Sequence, residues 1–313
     1  MKIVITDGHT LNPGDLSWKS IEKFGELEIH PRTAPSDVLQ RCKDAEIIVT
    51  NKTPIKADVI AAAKNLKGIA VTATGYNIVD INAARDAGIL VCNVPGYGTN
   101  SVAQHTFALI LELSSRVGMH SHSVANGDWG KSEDFCYTLA PLIELYGKTL
   151  GIVGYGSIGK RVAEIANCFG MRVIYSASSR EKYPDSVSLE TIFRESDFIS
   201  LHCPLTKSNE KFVNRSLLDL MKPTAFLVNT ARGQLINESD LRGALVSGTI
   251  AGAAVDVLSV EPPPADHPLL GLRNCIITPH NAWCSLEARK RIMETTRQNI
   301  AAILAGEPVN VVN

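Results

Sequence analysis

Short apolar runs alternate with amphipathic stretches along the first part of the chain. KIVIT (2–6), ELEIH (26–30), EIIVTN (46–51), GIAVTAT (68–74) and ILVCNV (89–94) read as strands. Between them, SWKSIEKFG (17–25), SDVLQRCKD (36–44), ADVIAAAKNL (57–66) and DINAARDAG (80–88) read as helices; Gly25 stops the first and Ser36 gives the second a cap signal. Strand and helix in strict alternation predict a parallel α/β domain. NSVAQHTFALILELSSRVG (100–118) is long, apolar and periodic, and is expected to be the helix that leaves this domain. Residues 119–146 hold Trp129, Phe135, Tyr137 and Pro141 without strand alternation, as an interface arm or a plain surface excursion would.

Alternation then resumes. The expected strands are TLGIVG (149–154), MRVIYSAS (171–178), DFISLHCP (197–204), AFLVNTA (225–231), IAGAAVDV (250–257) and NCIITPH (274–280). The expected helices are 157–170, 188–196, 214–221, 238–248 and a long terminal one at 286–306. The chain is thus α/β, with two parallel-sheet domains.

Composition narrows the class without naming it. At 313 residues the chain has room for two cores. Its net charge of −1 gives no global field for nucleic acid or anionic lipid, and its apolar runs are too short and broken for a membrane span. MKIVIT runs straight into a strand, so no secretory leader is expected. Seven cysteines, odd in number, widely spaced and without a CxxC pair, fit a reducing, cytoplasmic setting. No metal site is expected: His120 and His122 flank one serine, nothing nearby completes a ligand set, and a solvated helix end explains them as well.

One turn carries chemistry. Gly154, Gly156 and Gly159 form GxGxxG between an apolar strand and an amphipathic helix, the context in which such a turn binds a dinucleotide. Gly154 permits the tight turn, Gly156 lets backbone approach a pyrophosphate, and Gly159 lets helix and strand pack closely. The helix start at Ser157 and Ile158 offers N–H groups to phosphate. The first domain lacks such a turn. An NAD site usually carries an acid about 20 residues on. Here the next strand ends in Ser178, Ser179 and Arg180 with no acid. The serines could donate to a ribose 2′-phosphate and the arginine could pair with it, which favours NADP(H) over NAD(H); a solvated Arg180 in an enzyme using NAD or both is the alternative.

Three polar residues follow strands of this second domain. Arg232, in NTARG, can clamp a carboxylate and a neighbouring carbonyl oxygen with its planar fork. His280, in TPHNAW, can give a proton to an oxygen that gains charge as hydride reaches carbon, and take it back in reverse. Glu261, before Pro262, can sit beside that imidazole, favour its protonated form and fix its tautomer. An arginine, a carboxylate and a histidine beside a nucleotide point to reduction of an anionic 2-oxo acid. Asp256 could hold the nicotinamide carboxamide or merely cap a loop. Cys203, Pro204 and Thr206, in HCPLT, line the adenosine or ribose side, and Thr230, Ala231 and His280 complete the coenzyme wall. From the first domain, the backbone of Thr74, Gly75 and Tyr76 could bind the substrate carboxylate as anion nests do. Asn51 and Lys52 end another strand there, the lysine adding positive potential or simply facing solvent.

ATGYN (73–77), NVPGYGTNSVAQHTFALIL (93–111), GIVGYGSIG (151–159), HCPLT (202–206), NTARGQLI (229–236), AAVDVLSVEPP (253–263) and TPHNAW (278–283) together resemble the D-isomer-specific 2-hydroxyacid dehydrogenases over nearly the whole chain. The resemblance implies catalytic roles for Arg232, Glu261 and His280, and substrate carboxylate binding by the 73–77 loop. It implies two Rossmann-like domains: a flavodoxin-like, discontinuous substrate domain at 1–98 and 285–313, and an inserted, doubly wound dinucleotide-binding domain at 99–284. It also implies a homodimer. TNKTPI (50–55) and PHNAW (279–283) resemble the glycerate dehydrogenase, or hydroxypyruvate reductase, branch, which implies reduction of hydroxypyruvate to D-glycerate and of glyoxylate to glycolate. Another 2-oxo acid such as 2-ketogluconate or pyruvate is the alternative substrate. A dinucleotide-sensing, corepressor-like interaction protein is the alternative from another class.

Overall fold

The structure, a computed structural model, describes residues 1–177 and 183–313. It divides into one unit of Met1–Gly98 with Cys284–Asn313 and a second of Thr99–Trp283.

In the first unit, β1 (Lys2–Ile5), β2 (Glu26–Ile29), β3 (Ile47–Thr50), β4 (Gly68–Val71) and β5 (Leu90–Cys92) pair in parallel in the order β2-β1-β3-β4-β5. Every residue of β3 and β4 is buried, as strands covered on both faces must be, which is why they read as unbroken apolar runs. One face packs on the helices Val38–Cys42, Ala57–Ala62 and Ile81–Asp86. Ile21, Ile300 and Ile303 cover the other, the last two from the terminal helix Leu286–Ala305.

In the second unit, β6 (Thr149–Val153), β7 (Arg172–Ser176), β8 (Phe198–Leu201), β9 (Phe226–Asn229), β10 (Gly252–Val255) and β11 (Cys275–Ile277) form a parallel sheet in the order β11-β10-β9-β8-β6-β7. β6, first in sequence, lies between β7 and β8, so the chain's path reverses at its carboxyl end, where open α/β sheets bind ligands. The helix Thr99–Ser115 belongs to this unit: its Phe107, Ile110 and Leu113 share a core with Phe226, Val228 and Ala254.

Most elements end earlier than the apolar pattern suggests, and three differences have clear causes. The expected helix 100–118 stops at Ser115, because Arg116 turns left-handed at φ 52°; a new helix, Val117–Ala125, starts with Gly118 N–H donating to the Glu112 carboxylate. Ser36 does not cap a helix: it lies in a 3-10 turn, Pro35–Asp37, with its hydroxyl on Asp37, and the helix begins at Val38. The strand at 68–74 leaves the sheet after Val71, and the following loop is tied to the next strand by Thr74 Oγ1 on Val94 O (2.9 Å) and Asn93 Nδ2 on Thr74 O (2.8 Å). Among the described residues no helix is long and apolar enough to cross a membrane.

Candidate active site

The three glycines of the GxGxxG turn stand in different surroundings. Gly154 has φ 97°, and a Cβ there would lie 2.5 Å from Cys203 N, so the turn is pressed against the HCPLT segment after β8. A Cβ on Gly159 would lie 2.2 Å from Gly154 O, the close contact of helix on turn. A Cβ on Gly156 would meet nothing within 4 Å. The protein itself leaves that space open, at the start of the helix Ser157–Cys168, which has no side-chain cap. An uncapped helix start beside open space suits the pyrophosphate of a dinucleotide. Nearby, Asn209 holds the turn that carries Pro204 and Thr206, accepting from Thr206 N (2.7 Å) and donating to Pro204 O (2.8 Å). Cys203 is half-buried, and loss of water raises its thiol, which favours the protonated form over the nucleophilic thiolate. Burial pushes the His202 imidazole down to about 3; neutral and bonded to Ser200 Oγ (2.8 Å), it is not an acid–base group at neutral pH. β7 ends at Ser176; Ser178, Ser179 and Arg180 lie outside the described residues.

The three chemical side chains follow three neighbouring strands: Arg232 after β9, Glu261 after β10 and His280 after β11. Arg232 is exposed on a turn that the buried Asn229 shapes, accepting from Ala231 N (3.0 Å) and donating to Arg232 O (2.9 Å). Thr230 is buried, with its hydroxyl 3.0 Å from that of Thr106. Glu261 and His280 meet: Nδ1 of the imidazole is 2.6 Å from Oε2, while Oε1 accepts from Leu258 N at 2.9 Å. An ionised carboxylate can only accept, so Nδ1 carries a proton and Nε2 is the nitrogen left for a substrate oxygen. His280 itself sits at φ 50°, a left-handed conformation that costs a non-glycine residue about 1–2 kcal/mol. Its N–H donates to Asp256 O (2.8 Å).

Asp256 explains how that strain is held. It is 1% exposed, and its carboxylate accepts from Thr278 Oγ1 (2.6 Å), Asn281 N (3.0 Å) and Ala282 N (3.0 Å). It therefore caps the loop that bears His280. Oδ2 carries only one of these bonds, which leaves acceptor capacity beside the loop.

In the first unit the Asp7 carboxylate accepts from the backbone N–H groups of Asn51 (2.8 Å), Lys52 (2.5 Å) and Thr53 (2.8 Å), turning the chain sharply after β3. Lys52 is exposed on this turn. Asn51 is 4% exposed; its amide donates to Thr72 O (2.8 Å) and Thr72 Oγ1 (3.0 Å), and its Oδ1 has no partner among the described residues. Gly75 and Tyr76 are half-buried, and Thr74 is exposed.

Known proteins resemble this chain in sequence and fold. The family model for the NAD binding domain of D-isomer specific 2-hydroxyacid dehydrogenases matches residues 107–282. A hydroxypyruvate reductase of Blautia hydrogenotrophica is 46% identical over 100% of both chains. The chain belongs to the D-isomer-specific 2-hydroxyacid dehydrogenases. A glycerate dehydrogenase of Methylorubrum extorquens is 39% identical over 99% of this chain and 98% of its own. An acyclic imino acid reductase in complex with NADPH and D-arginine superposes with a TM-score of 0.87 at 34% identity, with 100% of both chains covered.

The dehydrogenase also uses residues that local pattern does not reveal. A Cβ on Gly233 would lie 1.9 Å from the carbonyl carbon of Leu258, so the Arg232 turn rests directly on the backbone that leads to Glu261. Gln234 Nε2 donates to Ser259 O (2.9 Å), and Glu238 accepts from Ser259 N (2.8 Å) and from the Ser259 hydroxyl. His267, almost fully buried, meets Glu238 at 3.1 Å. These partners lie 21 to 29 positions apart, and nothing in a linear pattern pairs them.

Proposed function

We propose that this dehydrogenase reduces hydroxypyruvate to D-glycerate with NADPH. The contact between Glu261 and His280, beside the Arg232 turn, carries the reading. The reactions named for the hydroxypyruvate reductase and glycerate dehydrogenase relatives support the substrate. The absence of an acid at the end of RVIYS, and the NADPH held by the imino acid reductase neighbour, support the coenzyme.

Residues of this chain fit the group. Open space at Gly156 and the uncapped helix start would take the pyrophosphate, with Ser157, Ile158 and Gly159 offering N–H groups. Cys203, Pro204, Thr206, Thr230 and Ala231 would line the coenzyme, Ser178, Ser179 and Arg180 would face its 2′-phosphate, and Asp256 Oδ2 would accept from the carboxamide. When bound, reduced nicotinamide supplies the hydride that turns the C2 carbonyl into an alcohol. Arg232 binds the 2-oxo acid through carboxylate and carbonyl oxygen and draws charge toward that oxygen. His280 Nε2 gives the oxygen its proton, and the imidazole left behind keeps its Nδ1 proton on Glu261. Thr74, Gly75 and Tyr76 would offer backbone N–H groups to the carboxylate, and Lys52 adds positive potential. Apolar side chains left in water along 117–146, with Phe135 88% and Tyr146 77% exposed, support a homodimer. Free thiols at all seven cysteines support a cytoplasmic setting.

The test is coenzyme oxidation with NADPH and NADH in parallel, using hydroxypyruvate, glyoxylate, pyruvate and 2-ketogluconate. Fastest turnover with hydroxypyruvate and NADPH is expected. Turnover confined to another oxo acid would overturn the substrate and keep the mechanism; a preference for NADH would overturn the coenzyme.

A further inference from the structure

A cation stands beside the glycine turn that none of the roles above uses. Lys160 is exposed, one turn into the helix Ser157–Cys168. Its ammonium lies 5.3 Å from the ring centroid of Tyr183 and 6.0 Å from that of Tyr155. Tyr155, between Gly154 and Gly156, stacks on Tyr175 of β7 at 3.8 Å and 8°, and Tyr183 meets both rings edge-on at 5.7 and 6.2 Å. The three rings and the lysine form a wall where the glycine turn meets the end of β7, which is where this fold reads the adenosine ribose.

Charge decides what such a wall can read. An acid at the end of this strand would accept from a ribose 2′-hydroxyl and repel a 2′-phosphate; RVIYS offers none. Lys160 forms no ion pair among the described residues, and Glu164, one turn on, is taken by Arg161 at 2.6 Å. Asp185, exposed, is the acid felt by Tyr175. A lysine ammonium is a point charge on a flexible stem and reads a phosphate well only when something places it. Two aromatic faces do so here.

We infer that Lys160, held over Tyr155 and Tyr183, is a specificity residue that binds the 2′-phosphate of the coenzyme's adenosine. This rests on the reading of a 2′-phosphorylated coenzyme and adds to it a residue outside the segment after β7. Calorimetry on the whole purified chain tests it with three probes: adenosine 2′,5′-bisphosphate, adenosine 3′,5′-bisphosphate and 5′-AMP. The unaltered protein is expected to bind the 2′,5′-isomer most tightly. Lys160→Gln should weaken that isomer about ten- to a hundredfold, the range for one hydrogen bond to a charged group, and leave 5′-AMP within about twofold. Lys160→Arg should keep most of the preference, and Tyr183→Leu should lose part of it with the charge intact. A 2′,5′ preference that survives Lys160→Gln, or an equal loss for all three probes, would overturn the assignment of Lys160 alone. No 2′,5′ preference in the unaltered protein would overturn the NADP reading with it. Binding of 5′-AMP reports in each variant that the turn is folded.

Discussion

Gly233→Ala adds one methyl group and should disable the enzyme. Gly233 follows Arg232 and is buried against the chain that leads to Glu261. Its new Cβ would stand 1.9 Å from Leu258 C, 2.2 Å from Leu258 O and 2.3 Å from Ser259 N. Ordinary contact begins at 3.4 Å, so the two backbones must part by about 1.5 Å (3.4 − 1.9) at the closest pair. Neither can swing away as a side chain would. Asn229 Nδ2 holds Arg232 O at 2.9 Å, and Gln234 Nε2 and Glu238 hold Ser259 at 2.9 and 2.8 Å. The displacement therefore falls on Arg232, on Glu261 or on both. A misplacement of about 1 Å at a reacting group costs on the order of a hundredfold in rate. Overpacking of this kind costs about 1–3 kcal/mol, or about 2–12 °C of melting temperature in a unit of this size. The expected result is kcat/KM with hydroxypyruvate lowered by about a hundredfold or more, a melt lowered by about 2–12 °C, and coenzyme binding close to normal by fluorescence titration. A variant with kcat/KM within about threefold of the parent would refute the reasoning, because the backbone would then have absorbed the methyl group without moving either side chain.

Gly156→Ala makes the opposite case: at φ −80° and with nothing within 4 Å of its Cβ, the fold should melt as before, while coenzyme affinity falls by about tenfold or more; unchanged affinity would move the pyrophosphate elsewhere. Glu261→Gln replaces a charge-assisted contact at 2.6 Å with an amide, so kcat should fall by about ten- to a hundredfold with coenzyme binding unaltered, and stopped-flow turnover at the parent rate would remove Glu261 from the mechanism. Asp197 offers a test by pH. Burial raises its carboxyl, but Lys222 Nζ and Thr149 N–H, each at 2.8 Å, more than reverse this and hold it below the usual carboxylate range. A carboxyl lowered by folding stabilises the fold above its unfolded value, near pH 4, and loses that contribution as pH falls through the folded value. Asp197→Asn should therefore melt lower than the parent at pH 7, with the gap closing below about pH 4; a gap constant across that range would contradict the shift.

The strands were legible because parallel sheets covered on both faces leave unbroken apolar runs such as IIVT and FLVN. Where each run leaves its sheet was not. GIAVTAT continues its alternation to Thr74, yet the strand stops at Val71, and beyond it side chains tie the chain to the segment after β5, Thr74 Oγ1 on Val94 O and Asn93 Nδ2 on Thr74 O. The break at Arg116 likewise depends on Glu112 reaching Gly118, a contact that helical periodicity hides. Asn51 shows the limit for polar residues: a side chain at a strand end looks the same whether it faces a ligand or turns inward. Its amide meets two acceptors of Thr72 beside the turn that Asp7 holds, and its Oδ1 is left without a partner among the described residues.

Arg232, Glu261 and His280 could be singled out because each is a reactive type just past an apolar strand, where the ladder ends and a ligand can be met. What aims them is another set of residues, joined across the sequence. Asp256 reaches Ala282, 26 positions on, and Glu238 reaches Ser259, 21 positions on. Each is a single acidic residue that takes both a backbone N–H and a side-chain hydroxyl from a distant part of the sequence. Asp256 had two readings in the sequence, carboxamide binder or loop cap; three donors within 3.0 Å make it a cap, and Oδ2, which takes only one of them, keeps acceptor capacity for the other role. That cap holds His280 in a left-handed conformation that no local preference would select. The histidine's identity is thus written at position 280, but its direction is written at position 256.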